Sequence, residues 1–247
     1  MLAVEKPEKT TVCLLVDKEE IGSVGATGMH SRFFENTVAE IMNLAGCYSE
    51  LVVRRCLARS RMLSSDVSAA YDPNFASVNE KKNTAYFGRG IVFNKYTGAR
   101  GKSGSNDCSA EYMALVRRIM DDAGVYWQTS ELGKVDQGGG GTIAYITANY
   151  GMEVIDCGIA VLNMHAPWEI GSKADIYEAK KGYIAFLQIA YMLAGRFCDG
   201  FSGGRYYPNE EKASLWQQRM GGFASRNGFS SEMPGMLASD YGTAQAR

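Results

Sequence analysis

The chain has 247 residues, 46% hydrophobic and 21% charged, with 27 acidic against 26 basic side chains and a formal net charge of -1. That is the composition of a globular chain long enough to bury a core. It offers no basic surplus for nucleic acid, no polybasic run for a membrane surface, and no apolar stretch near the ~20 residues that a spanning helix needs. The opening MLAVEKPEKT lacks the apolar centre of a secretory signal, so a cytoplasmic protein is expected. Cysteines stand at 13, 47, 56, 108, 157 and 198 with no CxxC pair. Reduced, mostly buried thiols are therefore expected, not a disulfide frame or a zinc finger.

In chain order, TVCLLV (11–16) reads as a short buried strand, and IGSVGATG after it as a turn. FFENTVAEIMNLAG has helical spacing closed by Gly46. Residues 50–64 end a helix and begin a strand, which runs through SSDVSAAYD to a turn at Pro73 and Asn74. GIVFNKY (90–96) is a further strand, GARGKSGSND a loop, and SAEYMALVRRIMDDAG an amphipathic helix closed by Gly124. VYWQTSEL predicts a strand, GKVDQGGGG a loop and TIAYITANYG a helix closed by Gly151. MEVIDCGIAVLNM predicts a strand that leads to His165, and ADIYEAKKGYIAFLQIAYML a long amphipathic helix. No internal repeat is present. The alternation predicts an α/β layered sheet, with ligands gathered beyond the carboxyl ends of its strands. The tail from about 191 to 247 is Gly-rich with poor apolar periodicity, and weak order is expected there.

Chemistry concentrates at three places: the adjacent acids Glu19 and Glu20, Asp66 before a turn, and His165 after a strand. Two neighbouring carboxylates repel each other and call for a cation or a shared proton. Glu, Asp and His are the donors of a dinuclear zinc, cobalt or manganese site. One acid of a pair can bind metal while the other takes a proton from water. Taken singly, each has a plainer reading: an EE pair as a solvated turn, Asp66 as a cap or Asx-turn, His165 as a satisfied or exposed histidine. His30, at the start of a helix, reads as a surface or cap residue. HExxH is absent, and two histidines are too few for a His-rich zinc site. GKS at 101–103 is no P-loop, because the glycine required five residues before Gly101 is Tyr96. QGGGGT (137–142) before a helix would suit an anion or a mobile loop equally.

Read together, LLVDKEEIGSVGATGM, SSDVSAAYDPNF, YTGARGKSGSND, ELGKVDQGGGGTIAY and VLNMHAPWEIGSKADIY resemble the aminopeptidase I / aspartyl aminopeptidase family, in the family's order and over about residues 8–190. The resemblance implies a layered αβα zinc-exopeptidase domain with a mixed central sheet. It implies a dinuclear Zn2+ metalloaminopeptidase, with Co2+ or Mn2+ as alternatives, that removes N-terminal residues from peptides. By position, Glu19 matches the general base, and Glu20, Asp66 and His165 match metal ligands. Gly138, Gly139, Gly140 and Gly141 would let the substrate backbone approach.

The family's His-x-Asp motif and bridging Asp lie upstream of the EE segment. Here 18 residues precede Glu19, and neither histidine is followed by x-Asp. The expectation is a catalytic domain truncated at its N-terminus (1–190), impaired when alone, followed by a tail (191–247). Homo-oligomers are expected of the family, but not here without its dimerisation domain. The alternative is a non-catalytic structural or interaction module that keeps the fold.

Overall fold

The computed structural model describes residues 9–189 apart from 101 and 135, together with Val4 and Pro7. The expectation for the 191–247 tail therefore lies outside the described residues. Among the described residues, one compact unit comprises those up to Arg32 and those from Leu57 onward, and a second comprises Phe33–Cys56. In the second unit, helix α1 (Phe33–Leu44) buries Val38 and Met42 at one helical spacing. Gly46 beyond it adopts φ 73°, the left-handed stop expected there. Helix α2 (Glu50–Ala58) leads back into the first unit.

The first unit is built on a mixed sheet. Strands β1 (Arg61–Ala69), β2 (Ile91–Asn94), β5 (Trp127–Thr129) and β6 (Glu153–Leu162) lie in the order β1-β6-β2-β5, and β7 (Ile170–Gly171) pairs with β6. β1 and β6 run parallel, with Ser64 opposite Asp156 and Asp66 opposite Gly158. β2 runs antiparallel to β6 and parallel to β5. β2 and the middle of β6 are buried almost without a break, so they read as continuous apolar runs.

Side chains alternate across the sheet. On one face, Phe93, Ile155 and Cys157 meet Tyr112, Val116, Ile119 and Met120 of helix α3 (Ala110–Asp122) and Ala179, Ala185 and Phe186 of helix α5 (Lys173–Ile189). The Ser109 hydroxyl accepts the Tyr112 N–H at 3.1 Å and starts α3 as an N-cap. On the other face, Val92 and Ala160 pack with Ala70 and Ala85. A hairpin of β3 (Tyr96–Ala99) and β4 (Ser103–Asp107), with the short helix α4 (Ala144–Ala148), lies against β6 on the side of Asp156. The result is a layered α/β domain with a mixed central sheet.

Five expectations are corrected here. Residues 11–16 form no strand: Val12 is 51% and Leu15 91% exposed, and the segment pairs with no strand among the described residues. An apolar run becomes a strand only where a neighbour takes its backbone groups. GARGKSGSND is no loop but the β3–β4 hairpin, because Asn106 is held by tertiary bonds to the Val154 carbonyl (3.1 Å) and the Asp156 carboxylate (3.4 Å). The 90–96 strand ends at Asn94, and the helix expected over 142–151 shrinks to the single turn of α4. Of the five described cysteines, Cys108 and Cys157 are buried, Cys47 and Cys56 half-buried and Cys13 exposed, so the thiols are not mostly buried.

Candidate active site

Glu19 and Glu20 sit on a short 3-10 helix (Glu19–Ile21) inside a loop that closes on itself. The Lys18 carbonyl accepts the Ser23 N–H at 2.8 Å, the Glu19 carbonyl accepts the Gly22 N–H at 2.9 Å, and the Ser23 carbonyl accepts the His30 N–H at 3.1 Å. Thr27 Oγ1 donates to Asp17 Oδ2 at 2.7 Å. Lys18 and Ser23 both adopt left-handed backbone (φ 63° and 56°), and Ser23 is buried. His30 is exposed, and its Nε2 lies 3.0 Å from the Tyr145 hydroxyl on α4. It thus ties the acid-bearing loop to the segment that follows the Gly-rich loop, a role its sequence position did not suggest.

Asp66 lies on the same face of β1 as Ser64 and Ser68, and its Oδ1 accepts the Val67 N–H at 2.8 Å. Gly158 opposite it must lack a side chain: a Cβ there would stand 2.0 Å from the Asp66 carbonyl oxygen. His165 follows β6, on a left-handed backbone with φ 65°. Its Nε2 stands 3.3 Å from Glu20 Oε2, and both side chains are well exposed.

The structure thus brings Glu20 and His165 into contact, 145 residues apart in sequence (165 − 20). Glu19 and Asp66 lie within electrostatic range of this pair. Partial burial raises the Glu19 carboxyl above its ordinary 4.5, the charges of Asp66 and Glu20 raise it further, and His165 opposes the shift. Partial burial also raises Asp66 above 3.8, against the Val67 N–H, with Glu20 and Asp156 adding to the rise and His165 again opposing it. Among the described residues, no three His, Cys, Asp or Glu side chains are gathered closely enough to hold a metal ion. The donor set still fits zinc in kind. It offers carboxylate oxygens and one imidazole nitrogen, and the mutual repulsion of three acids is what a divalent cation would relieve.

The Gly-rich loop is set by a residue that the motifs did not single out. Asp156, 2% exposed, accepts the Thr142 N–H (3.0 Å) and hydroxyl (2.7 Å) on Oδ1, and the Thr97 hydroxyl (3.0 Å) on Oδ2. Thr142 Oγ1 also bonds Ser64 Oγ. The signal for Asp156 was a lone acid inside the apolar run VIDCGIAV. Gly138–Gly141 run beside β3: the Gly140 carbonyl accepts the Gly98 N–H at 3.0 Å, and the Gly138 carbonyl accepts the Arg100 N–H at 3.1 Å. Gly139 has φ 116°, and a Cβ there would fall 2.1 Å from the Gly98 carbonyl oxygen, whereas Gly140 faces open space. A cavity of about 430 Å³ lined by Lys95, Arg117, Trp127 and Glu131 shares none of these residues.

Residues 2–187 match the aminopeptidase I zinc metalloprotease (M18) family. A probable M18 family aminopeptidase 1 of Clostridium acetobutylicum is 68% identical over 187 residues, 76% of this chain and 40% of the relative. The crystal structure of aminopeptidase I from the same organism aligns with a TM-score of 0.64 at 69% identity, covering 70% of this chain and 37% of the other. The M18 aminopeptidase structure from Thermotoga maritima gives 0.68 at 44% identity, covering 70% and 39%. The chain spans about 40% of the length of the curated relatives it matches. With three quarters of its length inside the family match, the chain belongs to the aminopeptidase I zinc metalloprotease (M18) family.

Proposed function

We propose that this chain carries one part of a dinuclear zinc aminopeptidase centre acting on the N-terminal peptide bond of peptides. Glu19 is the general base, and Glu20, Asp66 and His165 are ligands. The observation that supports this most is the contact of Glu20 with His165, with Glu19 and Asp66 electrostatically coupled to it. Bound zinc supplies Lewis acidity to the scissile carbonyl. The remaining chemistry falls to the side chains. Partial burial and its acidic neighbours make Glu19 more basic, and this suits it to take a proton from the attacking water and return it to the leaving amine. Gly140, open on its outer side, lets an extended substrate backbone lie along the loop Gly138–Gly141, which β3 holds from behind.

Three ligands fall short of two tetrahedral ions, so the reading includes further donors from outside the described residues and weak activity for the chain alone. Two zinc ions per complete site, Co2+ or Mn2+ as substitutes, and a cytoplasmic setting belong to the same proposal. Among the described residues, no helix is long and apolar enough to cross a membrane.

The test is calorimetric titration of the 247-residue chain with zinc and cobalt, beside Glu20→Ala and His165→Ala, with release of aminoacyl chromophores assayed in the same samples. Zinc binding that is lost in both variants supports the ligand assignment. Binding indifferent to both refutes it. Efficient turnover by the chain alone would refute the weak activity expected of it.

A further inference from the structure

We propose that Glu169 is a positioning residue for His165, resting on the reading of His165 as a zinc ligand. Residues 163–169 connect β6 to β7, where Leu162 pairs with Ile170. Two non-glycine residues of this connection, Asn163 (φ 57°) and His165 (φ 65°), adopt the left-handed conformation. Side chains other than glycine adopt it uncommonly, asparagine and histidine more often than most, and here the surroundings hold them. The holding bonds are visible. The Asn163 carbonyl accepts the Ala166 N–H at 2.9 Å, and Asn163 Nδ2 donates to the Trp168 carbonyl at 3.3 Å. Glu169 Oε1 accepts the His165 N–H at 2.6 Å. The last is a charge-assisted bond, stronger and shorter than a neutral one.

Its target is the informative point. Glu169 grips the main chain of His165, not the imidazole, so the ring is left to face Glu20 at 3.3 Å. A left-handed residue that relaxed to ordinary backbone would swing its Cβ, and with it the ring, away from that direction. Glu169 therefore fixes the ring before any metal arrives, much as outer partners orient metal-ligating side chains elsewhere. Glu169 is exposed, yet its carboxylate meets the backbone N–H of the residue whose ring faces Glu20.

The test uses the full chain labelled with 15N-histidine, which gives two backbone amide signals because the chain has only His30 and His165. His165→Ala assigns them, and the His30 signal reports that each variant is folded. Two substitutions are compared. Glu169→Gln keeps an acceptor oxygen, and Glu169→Ala removes it. Without metal, the His165 amide should exchange with solvent slowly in the wild type and Glu169→Gln, and about tenfold faster in Glu169→Ala. In zinc titration, Glu169→Ala should weaken binding about tenfold while Glu169→Gln stays within about twofold of the wild type.

Glu169→Gln binding zinc as poorly as Glu169→Ala would overturn the proposal, because a charge or a direct ligand would then be the cause. So would unchanged zinc affinity in Glu169→Ala where the wild type depends on His165. If His165→Ala binds zinc like the wild type, the ligand reading itself fails and takes this proposal with it. The amide exchange would still show whether the hydrogen bond exists, so the two failures are told apart.

Discussion

Replacing Asp156 should destabilise the domain. The residue is 2% exposed and serves Thr142 and Thr97, the latter 3% exposed. In Asp156→Ala, Asn106 keeps its bond to the Val154 carbonyl and the Thr142 hydroxyl keeps Ser64, so two donors are orphaned: the Thr142 N–H and the Thr97 hydroxyl. A buried orphan costs about 1–3 kcal/mol, the half-buried Thr142 N–H toward the low end, and losing a buried charge offsets part of that, so a net loss of about 2 kcal/mol is expected. Asp156→Asn retains an oxygen for Thr142, and the Thr97 hydroxyl can turn to accept from the new amide, so its loss should be about 1 kcal/mol. Urea unfolding of the full chain, followed by circular dichroism, reads both values, provided the denaturant slope is unchanged. An alanine variant within about 1 kcal/mol of the wild type, or no less stable than the asparagine variant, would refute the view that this carboxylate holds the Gly-rich loop.

Three further outcomes are expected. Gly158→Ala should force β1 from β6, because its Cβ would meet the Asp66 carbonyl at 2.0 Å; a loss of about 3 kcal/mol should appear in the same unfolding assay, along with weaker zinc binding. Tyr145→Phe removes the tie to His30 and should cost only about 0.5–1 kcal/mol at this exposed position, while amide exchange in residues 18–23 quickens. The raised carboxyls of Glu19 and Asp66 set a pH dependence in the metal-free chain. Below their ordinary values of 4.5 and 3.8 neither is charged in either state; as pH rises through the raised values, ionisation favours the unfolded chain. Asp66→Asn should therefore raise the melting temperature at pH 7 but not at pH 3, by an amount worth under about 1 kcal/mol given its solvent exposure. An equal shift at both pH values would count against the electrostatic cause.

The elements with local signatures were legible in the sequence. α3 carries its serine cap and its glycine stop, and β6 its long apolar run. The carboxylate pair, Asp66 and His165 were also visible as residue types, and the Glu20–His165 contact agrees with the expectation that the two lie near each other. What escaped detection depends on partners distant in sequence. TVCLLV has the composition of a strand, yet among the described residues it pairs with no strand, and Leu15 faces solvent. GARGKSGSND has the composition of a loop, yet Asn106 is drawn into pairing by Val154 and Asp156. His30 and Tyr145 are separated by 115 residues, and no periodicity announces such a pair. Glu169 lies close to His165, but its role depends on a backbone angle that sequence does not display.

The loop of residues 17–30 and the connection 163–169 are each closed by hydrogen bonds among their own residues, with left-handed backbone in both. Fixing a residue's backbone costs about 1–2 kcal/mol in conformational entropy. Here that cost is met within each loop as the chain folds. Between the two, the described residues show a solvent-exposed contact of Glu20 with His165. A cation arriving between them would order a few rotatable side-chain bonds and little main chain. Its binding should therefore show a small entropic penalty and little change in heat capacity, in contrast to the coupled folding of a zinc finger.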